Sequence, residues 1–219
     1  MPIYWMDIVG AMTRSLSLSG GGPAAASRRA EEAAVRRQFE KDAVWSRMIA
    51  PGGRVPELPL IEVDLGPIHL RRLLDTGPLV LVFIRHAASA ACESTLVAYQ
   101  RTLEPTCAEL GAHLVAVSPQ RAELLAPVKH RNNLSYLVAA DPRHTLIDAF
   151  GIGYPAPEAT ATLGTRRTVL PYPSVVVADR SGTVRYADVH PFTAARTPAA
   201  PIIAVLRQQI SSEPLAPRG

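Results

Sequence analysis

The run Leu79-Val80-Leu81-Val82-Phe83-Ile84 constrains the fold more than any other part of the chain. Successive side chains of a strand point to opposite faces, so a strand without a polar member is apolar on both. Such a strand belongs in the middle of a sheet with a packed layer on each side. The run ends in a cation, Arg85, and eight residues beyond Ile84 a single cysteine, Cys92, opens a helical pattern. In that order the strand fixes the backbone and the loop exposes the sulfur. The helix N-terminus then offers unpaired N–H groups and a positive dipole end to a thiolate.

The surrounding pattern supplies the rest of a sheet. Residues 58–64 alternate loosely as a short strand, and 67–75 read as one or two helical turns. A helix is predicted over 93–110, kinked or restarted at Pro105 and ended by Gly111. A strand at 113–117, a helix at 121–129, a strand at 136–139 and a short helix at 142–150 follow. Residues 151–172 are rich in glycine and proline and read as an irregular insertion. The strand at 174–178 (SVVVA) then turns through Asp179-Arg180-Ser181-Gly182 into a hairpin partner at 183–187, and the last helix spans 199–210. Strands alternating with helices, closed by a hairpin and a helix, predict an α/β fold with a central mixed sheet flanked by helices.

Ahead of this unit, residues 1–50 form an N-terminal extension. Residues 15–27 (SLSLSGGGPAAAS) have linker composition, and Ser27 is placed to cap a helix over 28–48. Val35, Phe39 and Ala43 make an apolar stripe on that helix, with two fates open to it: docking on the domain or pairing with a second copy in a homodimer. The domain proper is expected over 51–211 and a flexible tail over 212–219.

Charge and cysteine content narrow the function. Lys and Arg number 23 against 19 Asp and Glu, and the cations are scattered with few aromatics among them, which argues against nucleic acid as a partner. Two cysteines are too few for a disulfide-stapled secreted domain. No apolar run approaches the ~20 residues that span a bilayer, and Asp7 in a start without a basic cluster speaks against a signal peptide. A cytoplasmic, reducing location is the expectation, with no membrane partner.

Read with its local strings, this order of elements resembles the alkyl hydroperoxide reductase / thiol-specific antioxidant (peroxiredoxin-like) family of the thioredoxin-like superfamily. The strings are PGGRVPELPL, GPLVLVFIRHAASAAC, LGAHLVAVSPQ, LVAADPRHTLIDAFGI and LPYPSVVVADRSGTVRYADV, and the resemblance runs from about residue 51 to 206. It implies a thioredoxin-like sandwich. In one branch of the family the site reads Pro-x-x-x-Thr/Ser-x-x-Cys. That motif puts Arg85 at the proline position, Ser89 at the Thr/Ser position and Cys92 at the peroxide-attacking cysteine. A branch with Trp-Cys-x-x-Cys would align Ala88 and Ser89 with its first two members and keep Cys92. Pro173 matches the cis-proline of the superfamily that faces the thiol, at a position where peroxiredoxins usually carry a peroxide-binding arginine.

The resemblance implies catalytic roles for Cys92 and Ser89 and a substrate contact for Pro173; Arg85 and His86, close by in the sequence, are further candidates, Arg85 for catalysis and His86 for substrate contact. Ser89 could hydrogen-bond the thiolate and bound peroxide or simply cap the helix, and Arg85 could favour the thiolate and orient peroxide or pair with a surface carboxylate. His86 is a loop histidine beside the site, open to a substrate contact or to plain solvation. His69, His113, His130, His144 and His190 show no metal-ligand spacing, so neither metal nor other cofactor is expected. Cys107 lies fifteen positions after Cys92, roughly 22 Å along a straight helix, whereas a disulfide needs Cα atoms within about 7 Å. A resolving thiol must then come from outside the chain or from another subunit. The implied activity is a thiol-dependent antioxidant oxidoreductase in which one cysteine reduces a hydroperoxide and an external thiol or thioredoxin-like partner regenerates it. The rival reading is a thioredoxin-like binding or regulatory module whose single site cysteine no longer cycles. The S-x-x-C site argues against a dithiol reductase.

Overall fold

The computed structural model of the protein describes residues 23–191 and 196–212. Its centre is a seven-stranded mixed sheet built from β1 (Pro59–Glu62), β2 (Gly66–His69), β3 (Leu79–Phe83), β4 (His113–Ser118), β5 (Leu137–Ala140), β8 (Ser174–Ala178) and β9 (Val184–Val189). The strand order is β2-β1-β5-β4-β3-β8-β9. β3, β4 and β5 are parallel, whereas β8 pairs antiparallel with β3 and β9 antiparallel with β8.

As its sequence requires, β3 is buried along its whole length and divides two apolar cores. Leu79, Leu81 and Phe83 face one, with Val115, Val176, Phe150 and Tyr172. Val80, Val82 and Ile84 face the other, with Leu96, Val175, Val177 and Leu206. The first core is covered by α1 (Pro23–Lys41), α2 (Val44–Arg47), α3 (Leu70–Thr76) and α7 (Thr145–Ala149); the second by α4 (Ala90–Thr102), α5 (Glu104–Glu109), α6 (Ala122–Arg131) and α9 (Ala199–Ser212). The predicted mixed sheet with helices on both faces is therefore the observed architecture.

Several local readings are corrected. The N-terminal helix starts at Pro23, not at 28, because proline fits a first turn and three alanines follow it; residues 15–22 of the expected linker lie outside the described residues. That helix also breaks before 48, at Ala43, whose φ of 44° is left-handed. Its apolar stripe docks on the same chain: Phe39 meets Tyr172 edge-on at 5.0 Å, and Val35 and Val44 are buried beside it. Residues 66–69 extend as β2 against β1, where a helical turn was expected, since Gly66 at φ 73° makes the tight turn between them. The kink expected at Pro105 is a full break at Leu103, with Pro105 in the first turn of α5. Residues 151–172 hold a β-hairpin of β6 (Gly153–Pro155) and β7 (Val169–Pro171), with a 3-10 turn and the short helix α8 (Thr160–Leu163) between them. The final helix reaches Ser212, and the expected tail beyond it lies outside the described residues.

Candidate active site

The loop from Arg85 to Ser89 leaves the C-terminal end of β3 and is pinned by the neighbouring β4–α6 turn. Ile84 N–H donates to the Val117 carbonyl at 2.9 Å, and Ser118 Oγ donates to the Arg85 carbonyl at 3.3 Å. Ala87 N–H donates to Gln120 Oε1 at 2.6 Å, while Gln120 Nε2 donates to the Thr162 carbonyl at 2.6 Å. Buried Gln120 thus ties the thiol loop to α8. In sequence Gln120 reads only as the end of the Ser118-Pro119-Gln120 turn after an apolar strand, with no signal of a role at the site.

Ser89 is the N-cap of α4, and its Oγ accepts the Cys92 backbone N–H at 3.4 Å. Of the two roles left open for Ser89, the structure supplies the cap. Arg85 Nη2 donates to the same Oγ at 3.4 Å, so the guanidinium lies at the start of the thiol helix. Glu93, next to Cys92, is drawn off the site: Arg131 donates to it twice at 2.7 Å and Asn132 once at 2.7 Å. Those bonds, Arg131 foremost, hold its carboxyl down to about 2.

Cys92 is a free thiol with a relative exposure of 5%, and it lines a small, open cleft at the C-terminal end of β3. Pro173 lines the same cleft. Its peptide is trans, however, and the described residues contain no cis peptide bond, so the cis-proline expectation is corrected. β8 begins directly after Pro173, at Ser174, whose Oγ donates to the Tyr172 carbonyl at 2.9 Å. Arg85, Ser89 and His86 do not line the cleft. His86 is half-buried in the loop, where its carbonyl accepts the Ser89 N–H at 3.2 Å.

Residues from the far end of the chain complete the cleft wall. Thr95 and Tyr99 project from α4, His190 follows β9, and Arg196 and Thr197 precede α9. Tyr99 Oη donates to the Thr197 carbonyl at 2.6 Å, and burial pushes its phenol up. His190 Nε2 lies 3.0 Å from Asp188 Oδ2. Burial raises the Asp188 carboxyl, but His190, Thr197 and Tyr186 together hold it below the ordinary carboxylate range. Of these residues the sequence draws attention only to His190, and only as a histidine without metal-ligand spacing. The available signal was the i, i+2 spacing of Asp188 and His190, which puts two polar groups on one face of a strand next to the site.

Cys107 lies elsewhere. It lines a separate cavity with Glu104, His113 and Leu114, at the N-terminal end of β4. Leu114 pairs with Val80, four residues before Ile84, so the two thiols sit at opposite ends of the sheet, roughly 13 Å apart along the strand direction alone. Burial, with Glu104 nearby, pushes the Cys107 thiol up to about 12. Among the described residues, no three His, Cys, Asp or Glu side chains are placed to hold a metal ion, and no helix is long and apolar enough to cross a membrane.

A mixed sheet between two helical layers, with a thiol presented at a capped helix N-terminus beside a proline, defines a protein of the thioredoxin-like class. Within that class, the family model of the AhpC/TSA family matches residues 51–187, and the chain belongs to that family. Membership places it among thiol-dependent peroxidases and oxidoreductases. No curated protein matches the sequence. The fold is similar to that of peroxidoxin BcpB from Mycobacterium tuberculosis, at 23% identity and a TM-score of 0.61, covering 73% of this chain and 97% of that one. It is similar to peroxiredoxin Q of Xanthomonas campestris, at 17% identity and a TM-score of 0.59, covering 74% and 97%. It is also similar to the yeast mitochondrial 1-Cys peroxiredoxin, at 14% identity and a TM-score of 0.58, covering 73% and 76%. At these identities the likeness is one of fold.

Proposed function

We propose that this protein reduces hydroperoxides through Cys92 alone, with an external thiol closing the cycle. The observation that carries the reading is the placement of the two cysteines. Cys92 opens on a cleft at a capped helix start, whereas Cys107 is buried at the other end of the sheet with its thiol held protonated.

The Cys92 thiolate attacks one oxygen of the peroxide; the S–O bond forms, the O–O bond breaks, and the departing oxygen takes a proton to leave as alcohol or water. Sulfur is oxidised to the sulfenic acid. An external thiol condenses with it, releasing water and forming a mixed disulfide, and a second thiol reduces that disulfide to restore Cys92. Arg85 and Ser89 support the step by holding the first turn of α4 and its N–H groups in place. Pro173 bounds the space for the peroxide, and His86 holds the loop ahead of the thiol helix through its carbonyl, which accepts the Ser89 N–H. The yeast mitochondrial 1-Cys peroxiredoxin, similar in fold, has its thiol resolved via glutathione/thioredoxin systems.

The test is peroxide consumption with a small thiol or thioredoxin as reductant, together with mass-spectrometric trapping of a sulfenic acid by dimedone. The expected result is a dimedone adduct on Cys92 and turnover abolished by Cys92→Ala. A Cys92→Ala protein that keeps its full rate ends the proposal. A parent protein that forms no adduct and consumes no peroxide favours the non-catalytic scaffold instead.

A further inference from the structure

We propose that His190, oriented by Asp188, is the acid–base group of the Cys92 cleft, taking the thiol proton and handing it to the departing oxygen. The inference rests on the peroxidase reading of the site and adds a residue to it.

His190 is almost wholly enclosed, its side chain 7% exposed, yet it lines the same cleft as Cys92. Its Nε2 lies 3.0 Å from Asp188 Oδ2, with Thr197 Oγ1 at 3.5 Å. An ionised Asp188 requires the proton of the neutral ring on Nε2, which leaves Nδ1 as an acceptor. Nδ1 has no hydrogen-bond partner among the described residues. A buried imidazole with one nitrogen anchored to a carboxylate and the other unengaged, lining one cleft with a thiol, is arranged for proton exchange.

The proton balance closes without another reagent. Nδ1 accepts the Cys92 proton, giving a thiolate and an imidazolium stabilised by Asp188. The thiolate attacks the peroxide, the O–O bond breaks, and the imidazolium returns the proton to the departing oxygen. Thiol and hydroperoxide thereby become sulfenic acid and alcohol, and His190 ends neutral.

The other groups around His190 do not mask this exchange. Tyr99 from α4 and Tyr186 from β9 are both pushed up by burial. Arg196, exposed at the rim before α9, is a guanidinium and keeps its charge throughout. Asp188 is held in its ionised form, and Ser174 and Thr197 do not titrate.

The test uses the full chain carrying Cys107→Ala, so that iodoacetamide reports Cys92. In the parent, the alkylation rate is measured from pH 5 to 9 and compared with His190→Asn. The expected result is an alkylation rate at pH 7 at least tenfold lower in His190→Asn, with its midpoint moved upward. Hydrogen peroxide consumption should fall about 10²-fold, the size of a lost general acid–base. An unchanged alkylation profile in folded His190→Asn overturns the proposal.

Because His190 is buried, a second measurement leaves it in place. The imidazole is titrated by NMR in the parent and in Cys92→Ser; a displaced titration supports coupling, and identical curves overturn it. If alkylation depends on His190 while the parent consumes no peroxide, the acid–base pair stands and the peroxide reading fails.

Discussion

The backbone N–H of His190 donates to the carbonyl of Pro173 at 2.8 Å, one position beyond the last β8–β9 register pair, Ser174 with Val189. This bond fixes the proline and the imidazole of the cleft relative to each other through main chain alone. Cys92 reaches the same cleft by an independent route, from the end of β3 through a loop held by Ser118 and Gln120. The site is the meeting of two separately braced pieces, which makes its parts separable by mutation.

The cap on α4 can be separated from the thiol chemistry. Ser89→Ala removes the acceptor for the Cys92 N–H and should cost about 1 kcal/mol in urea denaturation. Ser89→Asp restores a good cap and should recover most of that stability. Its carboxylate opposes formation of a nearby thiolate, so Cys92 alkylation at pH 7 should slow by roughly tenfold, about one pKa unit. Equal alkylation rates in both variants would show that Ser89 acts on the helix only.

Cys107 should be chemically silent in the folded protein. With its thiol pushed up to about 12, its thiolate fraction at pH 7 is on the order of 10⁻⁵. Peptide mapping after iodoacetamide should therefore find Cys107 modified only in denaturant, and Cys107→Ala should retain the parent rate of peroxide consumption. Alkylation of native Cys107 on the same timescale as Cys92 would contradict the assignment of its environment.

Beneath the sheet edge, Lys129 Nζ lies 2.7 Å from both Glu62 Oε1 and Asp64 Oδ2, and the Glu62 side chain is fully buried. Burial raises the Glu62 carboxyl, but Lys129 and the N–H groups of Val138, Asp64 and Leu65 bring it below its ordinary 4.5. A folded-state value below the unfolded one contributes stability that is present above the unfolded value and lost as pH falls through the folded one. Lys129→Met leaves that carboxylate enclosed with only backbone donors, at a cost of about 3 kcal/mol at pH 7. The gap between parent and variant should narrow at pH 4, where the carboxyl of the variant can protonate; a gap of the same size at both values would refute the pairing.

Gly77 carries a steric demand, not a conformational one. Its φ of −173° suits any residue, but a Cβ there would stand 1.9 Å from the Gly111 carbonyl oxygen. That oxygen is backbone in the turn before β4 and has nowhere to move, so Gly77→Ala should lose about 2–3 kcal/mol. Gly66→Ala offers the contrast: its Cβ meets open space, and the left-handed φ of 73° alone should cost about 1 kcal/mol. Thermal melts that rank the two in the opposite order would show that backbone conformation outweighs the clash.

The sequence by itself determined the sheet and the thiol. The unbroken apolar runs of β3 and β8 could be buried only on both faces, which set them at the centre between two helical layers. The strand–loop–helix order then placed Cys92 at a helix start, because all three elements are local. The nearby Ser89 cap was legible for the same reason, as one of two roles its position allowed. What only the tertiary structure decided was the company the thiol keeps. Arg85 and His86, neighbours in sequence, do not line its cleft, while His190, Arg196 and Thr197, about a hundred positions away, do. Periodicity reports which face a residue takes within its own strand, but not which strands become neighbours. The antiparallel return of β8 beside β3, and of β9 beside β8, carries His190 to the cleft that Cys92 lines, with Asp188 beside it. The apolar stripe of α1 shows the same division: its existence was local, and the Tyr172 surface that Phe39 covers was assembled only by the fold.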